Sequence, residues 1–193
     1  MAALTIGEVR AAAREERTRT AKSDRAILKE ASAVVGRRDI FLSHSFRDRE
    51  LIIGTRRTLI KAGLSVYVDW IDDADLDREA VDEERASGLR DRMRECDTLF
   101  YAHTPSAKLS RWCPWELGYF DALHHPDRQV FVLPVLDAGE DYDGQEYLSL
   151  YPVVDLSTYR HEPRRVREAR EFEAEMFHSA MGVRRSPRDP ARS

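Results

Sequence analysis

The 193-residue chain is predicted to fold as an α/β protein, a three-layer α/β/α arrangement around a five-stranded parallel sheet. Three observations carry this. From Asp39 onward, short apolar segments alternate with amphipathic segments five times. One apolar segment, residues 130–136, runs Val-Phe-Val-Leu-Pro-Val-Leu without a polar break, as a strand buried on both faces does. Hydrophobic residues make up 42% of the chain, enough at this length to build a core without a disulfide or metal staple.

Residues 1–36 read as a helical N-terminal arm, 37–182 as the main domain and 183–193 as a disordered basic tail. In the arm, Thr5 with Glu8 has the form of a capping box, Ala11 to Ala13 favour helix, and Ile27, Ala31 and Val34 recur at helical spacing before Gly36 interrupts. The arm is expected to pack on the body or on a second copy. A membrane-surface helix would need a Trp/Phe/Leu face that it lacks. The first strand is Ile40-Phe41-Leu42, ending in Ser43-His44-Ser45. Its following helix has Ser45 and Asp48 as start signals, Ile52, Thr55 and Leu59 on one face, and Gly63 as its stop. In the second strand, residues 64–70, Leu64, Val66, Val68 and Trp70 alternate with polar or amphipathic positions. An acidic connection over 72–84 leads to a helix through Leu89, Met93 and Cys96. A third strand over 99–102, a polar loop and a helix beginning near Pro114 follow. Strand four is 130–136, strand five 153–156, and a last helix covers 163–182.

Five such units suggest the flavodoxin-like strand order 2-1-3-4-5. In that order ligands bind beyond the carboxyl ends of strands one and three, where the winding reverses. The rule points to residues 43–46 and to the loop over 103–111.

Charge narrows the function classes. The net charge is −4, but residues 1–38 carry 9 basic and 5 acidic side chains and residues 182–193 carry 4 and 1, leaving the middle with 18 basic against 29 acidic. A body that acidic repels a phosphate backbone, so nucleic acid is not an expected partner. No apolar run approaches the roughly 18 residues needed to span a bilayer, and the start of the chain has no signal-peptide core, so no membrane is expected and a cytoplasmic location is. The two cysteines, Cys96 and Cys113, form no metal-binding spacing.

At the expected crevice the sequence runs Ser110-Arg111-Trp112-Cys113-Pro114-Trp115-Glu116-Leu117-Gly118-Tyr119-Phe120. Helical spacing puts Cys113, Leu117 and Phe120 on one side and Glu116 with Tyr119 on another. Glu116 then falls in the first turn at the crevice rim, beneath Trp112. A carboxylate beside an aromatic ring suits a sugar carrying a flat base, because one accepts from hydroxyls while the other stacks. The same residues also suit a glutamate placed for the helix macrodipole and tryptophans that merely fill the core. Periodicity does not separate the two.

Three blocks resemble a known family. Asp39-Ile40-Phe41-Leu42-Ser43-His44-Ser45, Val66-Tyr67-Val68-Asp69-Trp70 and the Ser110–Tyr119 stretch stand in the order and on the elements of a bacterial Toll/interleukin-receptor (TIR) domain. The resemblance covers about half of the chain, and the arm with its Trp-Cys-Pro-Trp-Glu-Leu-Gly-Tyr motif resembles the stand-alone TIR proteins of Thoeris-type antiphage systems. It implies an NAD+ nucleosidase that releases nicotinamide and gives ADP-ribose or a cyclic isomer of it as a signal. NAD+ is the substrate, and no cofactor or metal is implied. The family's Trp-x-x-x-Glu glutamate falls on Glu116, the implied catalytic residue. Phe41, Ser43, Ser45 and Phe46 would line the far wall and Trp112 would flank the ring. The loop after Trp70 would complete the site on self-association, and a receptor for the nucleotide product is the implied downstream partner.

Two other readings stand beside this one: a non-catalytic TIR scaffold working by homotypic contact, and an enzyme of similar fold acting on other N-glycosides. No GxGxxG or Walker loop is present, and Ser43-His44-Ser45 stands where a phosphate-accepting receiver domain needs clustered acids. His44 and His103 read as polar loop residues, and adjacent His124 and His125 as a solvated helix end. Cys113 is reactive if its helix start is open and inert if it packs on the sheet. The acidic stretch over 137–143 reads as a solvated turn.

Overall fold

The computed structural model describes residues 3–20, 36–72, 83–125 and 129–163, with Ala169, Phe172, Glu173 and Met176 beyond them. Contacts divide the chain into a unit of Met1–Tyr159 and a shorter one of Arg160–Ser193. In the shorter unit those last four residues are helical and Phe172 and Met176 are exposed; the rest of the expected final helix and the basic tail lie outside the described residues.

The larger unit runs β1 (Leu4–Thr5), α1 (Ile6–Thr20), β2 (Arg38–Ser43), α2 (Arg49–Lys61), β3 (Val66–Tyr67), α3 (Asp69–Asp72), α4 (Glu83–Arg94), β4 (Cys96–His103), α5 (Trp112–His124) and β5 (Val130–Leu136). All strand pairs are parallel, in the order β1-β5-β4-β2-β3. Alternate residues of each strand feed opposite faces, as the pleat requires. Ile40, Leu42, Phe100, Ala102 and Leu133 join Ile52 and Leu59 of α2 on one face. Phe41, Leu99, Tyr101, Val130 and Val132 join Met93 of α4 and Cys113, Leu117 and Phe120 of α5 on the other. These are the three expected layers.

Four of the five sheet positions follow the expected order, with β3, β2, β4 and β5 as strands two, one, three and four. The fifth differs. Expected strand five is reduced to one parallel bridge, Val132 to Val153. Val132 N donates to the Pro152 carbonyl at 2.9 Å and Val154 N to the Val132 carbonyl at 2.8 Å, after which the Asp155 carbonyl accepts from Thr158 N and Tyr159 N and turns the chain away. The rest of that edge is filled from the other end of the sequence, with Leu4 opposite Val135 and Thr5 opposite Leu136.

Strand two is also shorter than its alternation predicted. Asp72 Oδ2 accepts from Val68 N at 2.7 Å while the Val68 carbonyl accepts from Ile71 N and Asp72 N. A side chain thus supplies the partner that a ladder would have given, and the chain enters a helical turn at Asp69. The β2–β3 register is held by a reciprocal pair, Ser65 N to Asp39 Oδ2 at 2.8 Å and Asp39 N to Ser65 Oγ at 2.9 Å. Cys96, expected to end a helix, instead opens β4.

The N-terminal helix is part of this packing. Thr5 N donates to Glu8 Oε2 at 3.1 Å and Glu8 N to Thr5 Oγ1 at 3.2 Å, so the capping box forms. Val9 and Ala13 of α1 are fully buried, Ile6 packs with Leu51 and Val135, and α1 lies against α2. The approach is close at Gly54, where an added Cβ would stand 1.9 Å from the Val9 carbonyl oxygen. Backbone cannot yield as a flexible side chain does. Gly54→Ala is therefore expected to push α1 off α2 and destabilise the protein by about 1–3 kcal/mol, the usual range for overpacking. Urea denaturation of the two proteins measures it, and an unchanged midpoint would contradict the contact.

Candidate active site

Helix α5 begins where Ser110 Oγ accepts from Cys113 N at 3.3 Å, and Pro114 sits in its first turn, where a missing N–H costs nothing. Its buried residues are Cys113, Glu116, Leu117, Phe120 and His124. That spacing is the core stripe of an amphipathic helix, with Glu116 inside it. The face assignment made from Cys113, Leu117 and Phe120 alone placed Glu116 at the rim. The full stripe, in which 116 is three residues from 113 and four from 120, is the signal that would have placed it inward.

Glu116 has no solvent exposure, and neither has Ser43 at the end of β2. Ser43 Oγ donates to Glu116 Oε2 at 2.6 Å. This short bond to a carboxylate joins β2 to α5, the helix after β4. Of the residues singled out with Glu116, Ser43 touches it directly. Phe41 is 1% exposed, stacked on Tyr67 at 5.3 Å, and shares an apolar cluster with Cys113 and Leu117 against which Trp112 packs. Trp112 is half-buried and meets Trp115 edge-on at 5.3 Å. Ser45 and Phe46 lie with the next turn. Ser45 Oγ accepts from Arg47 N, and Phe46, 39% exposed, sets its ring perpendicular to Trp70 with the Arg49 guanidinium over it at 4.8 Å.

His44 is no loop filler. It is fully buried, and its Nε2 accepts from the Trp70 indole N–H at 2.7 Å. An indole nitrogen only donates, so Nε2 carries the lone pair and Nδ1 carries the proton, which goes to the Leu42 carbonyl at 2.8 Å. In that tautomer the ring is neutral, and the Asp69 carboxylate lies 3.5 Å from Nε2. Ser43 and His44 thus point to opposite faces of β2, one to α5 and the other to α3. Residues 73–82, which hold most of the loop expected to complete the site, lie outside the described residues.

Other expectations also meet the packing. His124 is 7% exposed and stacked on Phe120 at 4.3 Å, so only His125 is a solvated helix end. Both cysteines are buried, and burial pushes the Cys96 thiol far up. Cys113 faces the sheet, which is the inert of its two readings. A cavity of about 540 Å³ opens at the carboxyl ends of β4 and β5, and none of the six expected site residues lines it. No group of three metal ligands lies around Glu116 among the described residues.

The fold is thus a parallel α/β sheet in which β2 ends in a serine bonded to a buried glutamate of α5, the helix after the central strand β4. The chain belongs to the TIR domain family, whose profile matches residues 40–169. A protein of Bacillus cereus (strain MSX-D12) named "Probable 3' cyclic ADP-D-ribose synthase ThsB'" is 50% identical over 122 residues, 62% of this chain and 62% of that protein. A Cytobacillus dafuensis protein named "Putative cyclic ADP-D-ribose synthase TIR2" is 33% identical over 103 residues, 53% of this chain and 26% of its own. The matched region thus spans less than two thirds of either relative. The crystal structure of the TIR domain of the Toll-related receptor TRR-2 from Hydra magnipapillata aligns with 75% of this chain and 98% of its own, at 19% identity and a TM-score of 0.45.

Two measurements follow from the burial. Neither thiol should react with Ellman's reagent until the protein is unfolded, and fast labelling of the native protein would contradict the packing of Cys113. Ser43→Ala should cost about 1–3 kcal/mol of stability by removing a donor from a buried carboxylate, whereas Glu116→Gln, which still offers an oxygen to Ser43, should cost less. Thermal melts of the two variants give the order.

Proposed function

We propose that this protein cleaves the nicotinamide–ribose bond of NAD+, with Glu116 as the catalytic residue, and releases ADP-ribose or a cyclic isomer as a signal in antiphage defence. Membership of the TIR family supports this, as do the names of the two relatives. The observation that carries it is the buried Glu116 carboxylate held by Ser43 at the end of β2.

The chemistry is consistent with one carboxylate. Nicotinamide leaves a pyridinium as a neutral base and takes the bonding electron pair, so the leaving group needs no acid. Positive charge grows on the ribose as an oxocarbenium-like species. Glu116 would accept from the ribose hydroxyls and favour that charge without becoming a covalent nucleophile. Water then completes hydrolysis, or a nucleophile of the same molecule closes the ring, and a proton is released either way. A charged hydrogen bond contributes about 1.5–3 kcal/mol, roughly ten- to a hundredfold in rate, so positioning and exclusion of water must supply the remainder. Ser43 would orient the carboxylate, Trp112 and Phe41 would shape the apolar side, and Ser45 with Phe46 would form the wall toward α3.

Glu116 is fully covered, so the substrate reaches it only when its cover opens. Self-association, on which the loop after Trp70 would complete the site, is the step proposed to precede turnover. The product would act on a downstream receptor, and the location proposed is the cytoplasm; among the described residues no helix is long and apolar enough to cross a membrane.

Nicotinamide release from NAD+ is expected to rise more than linearly with protein concentration. It should fall about a hundredfold or more in Glu116→Gln, with circular dichroism unchanged. Chromatography of the products separates linear from cyclic ADP-ribose. A Glu116→Gln protein as fast as the parent would remove the proposal.

A further inference from the structure

Among the described residues three arginines lie over aromatic rings, and Arg49 differs from the other two. Arg90 lies over Trp115 at 5.5 Å and Arg94 over Tyr119 at 5.9 Å, but each also reaches a carboxylate, Glu83 at 2.9 Å and Asp91 at 2.6 Å. Arg49 lies over two rings, Phe46 at 4.8 Å and Trp70 at 4.5 Å, and no carboxylate among the described residues pairs with it. We propose that Arg49 binds the diphosphate of the dinucleotide substrate, beside the Ser43–Glu116 site. This rests on the reading of NAD+ as that substrate.

The carboxylates nearest to Arg49 in sequence are engaged elsewhere. Asp48 Oδ2 accepts from Ser106 N at 3.0 Å, and Glu50 reaches Arg17 at 3.3 Å. A guanidinium meets a ring with its flat face while its N–H donors lie in its plane, so stacking leaves free the edge that grips paired phosphate oxygens. Two rings that hold the side chain in advance also reduce the freedom lost when an anion binds. Arg47 and Arg111 are exposed as well, but among the described residues neither lies over a ring. Lys108 lines the cavity bounded by Asp137, Glu140, Asp141 and Asp143, where a phosphate is opposed.

Contacts tie this guanidinium to the strand end that carries Ser43. Trp70 is 5% exposed and its indole N–H bonds His44 Nε2 at 2.7 Å, so the platform under Arg49 is fixed to the residue after Ser43. Phe46, the second ring, stands three residues beyond Ser43. Past the carboxyl end of a strand the two faces of a sheet share one crevice. The diphosphate of a dinucleotide is joined to the ribose whose bond is cleaved, so a cation beside this strand end suits it when Glu116 holds that ribose. Charge adds a requirement. Residues 39–181 carry 18 basic against 29 acidic side chains, so a diphosphate is repelled unless an unpaired cation receives it.

The test is calorimetric titration of the full chain with ADP-ribose, which keeps the diphosphate, and with adenosine, which lacks it. Saturable binding of ADP-ribose is expected, weakened about tenfold in Arg49→Gln and less in Arg49→Lys, which keeps the charge without the planar edge. Adenosine should behave alike with parent and Arg49→Gln, and added salt should weaken ADP-ribose binding more in the parent than in that variant. Arg49 is exposed, so Arg49→Gln should keep the parent's circular dichroism. Arg94→Gln, which removes a ring-stacked arginine that already has a carboxylate, should bind ADP-ribose as the parent does. In turnover, Arg49→Gln should raise KM for NAD+ about tenfold while kcat stays within about twofold. The proposal is overturned by the absence of saturable ADP-ribose binding at millimolar concentration, by equal affinity in parent and Arg49→Gln, by an equal loss in Arg94→Gln, or by an equal loss for adenosine. A parent that releases no nicotinamide would count against the role of Glu116 and leave the difference in ADP-ribose affinity to decide that of Arg49.

Discussion

A carboxylate with no access to water must find its hydrogen-bond donors inside the protein, and Glu116 finds one in Ser43. The bond is 2.6 Å long and joins residues 73 positions apart in sequence. It requires β2 to end where it does, because Ser43 is the last ladder residue of that strand, paired with Tyr101 of β4. It also requires α5 to start at Trp112, since a shift of one residue would rotate Glu116 about 100° away from the sheet. The helix after the central strand and the strand beside it are therefore positioned by a polar contact as well as by the apolar cluster of Phe41, Leu117 and Phe120.

The opposite face of the same strand end carries a second polar device. His44 bonds the Leu42 carbonyl through one ring nitrogen and the Trp70 indole through the other. Arg49 lies over the Trp70 ring at 4.5 Å. Two consecutive residues, Ser43 and His44, thus tie the end of β2 to elements on both sides of the sheet. The alternation of a strand makes this possible: neighbouring side chains leave in opposite directions. A strand end held on both sides has little freedom to drift, which keeps the Ser43–Glu116 contact in place.

The N-terminal segment has its own logic. Leu4 and Thr5 complete an edge that the segment around Val153 covers at a single residue, and α1 then lies over α2 through the contact at Gly54. An edge strand left open invites pairing with other chains, and this one is partly closed by the chain's own start. Arg57 of α2 reaches Glu16 of α1 at 3.2 Å, an ion pair with both partners largely shielded from water.

Much of the architecture is legible in the sequence because it depends on local rules. Alternation of apolar segments with amphipathic ones specifies a parallel sheet between helices, Thr5 with Glu8 announces a helix start, Gly63 announces a helix stop at φ +87°, and the unbroken run over 130–136 marks the buried strand β5. The three motif blocks likewise single out Ser43 and Glu116 before any coordinate is known. What the sequence alone does not determine is whatever depends on a partner far away in the chain. The strand over 64–70 stops early because the Asp72 side chain captures Val68 N, and the fifth sheet position goes to Leu4 and Thr5 because Asp155 turns the competing segment away. The depth of Glu116 and the tautomer of His44 are likewise decided by what packs against them. Periodicity records which way a side chain leaves its own element, and only the tertiary structure decides what it meets there.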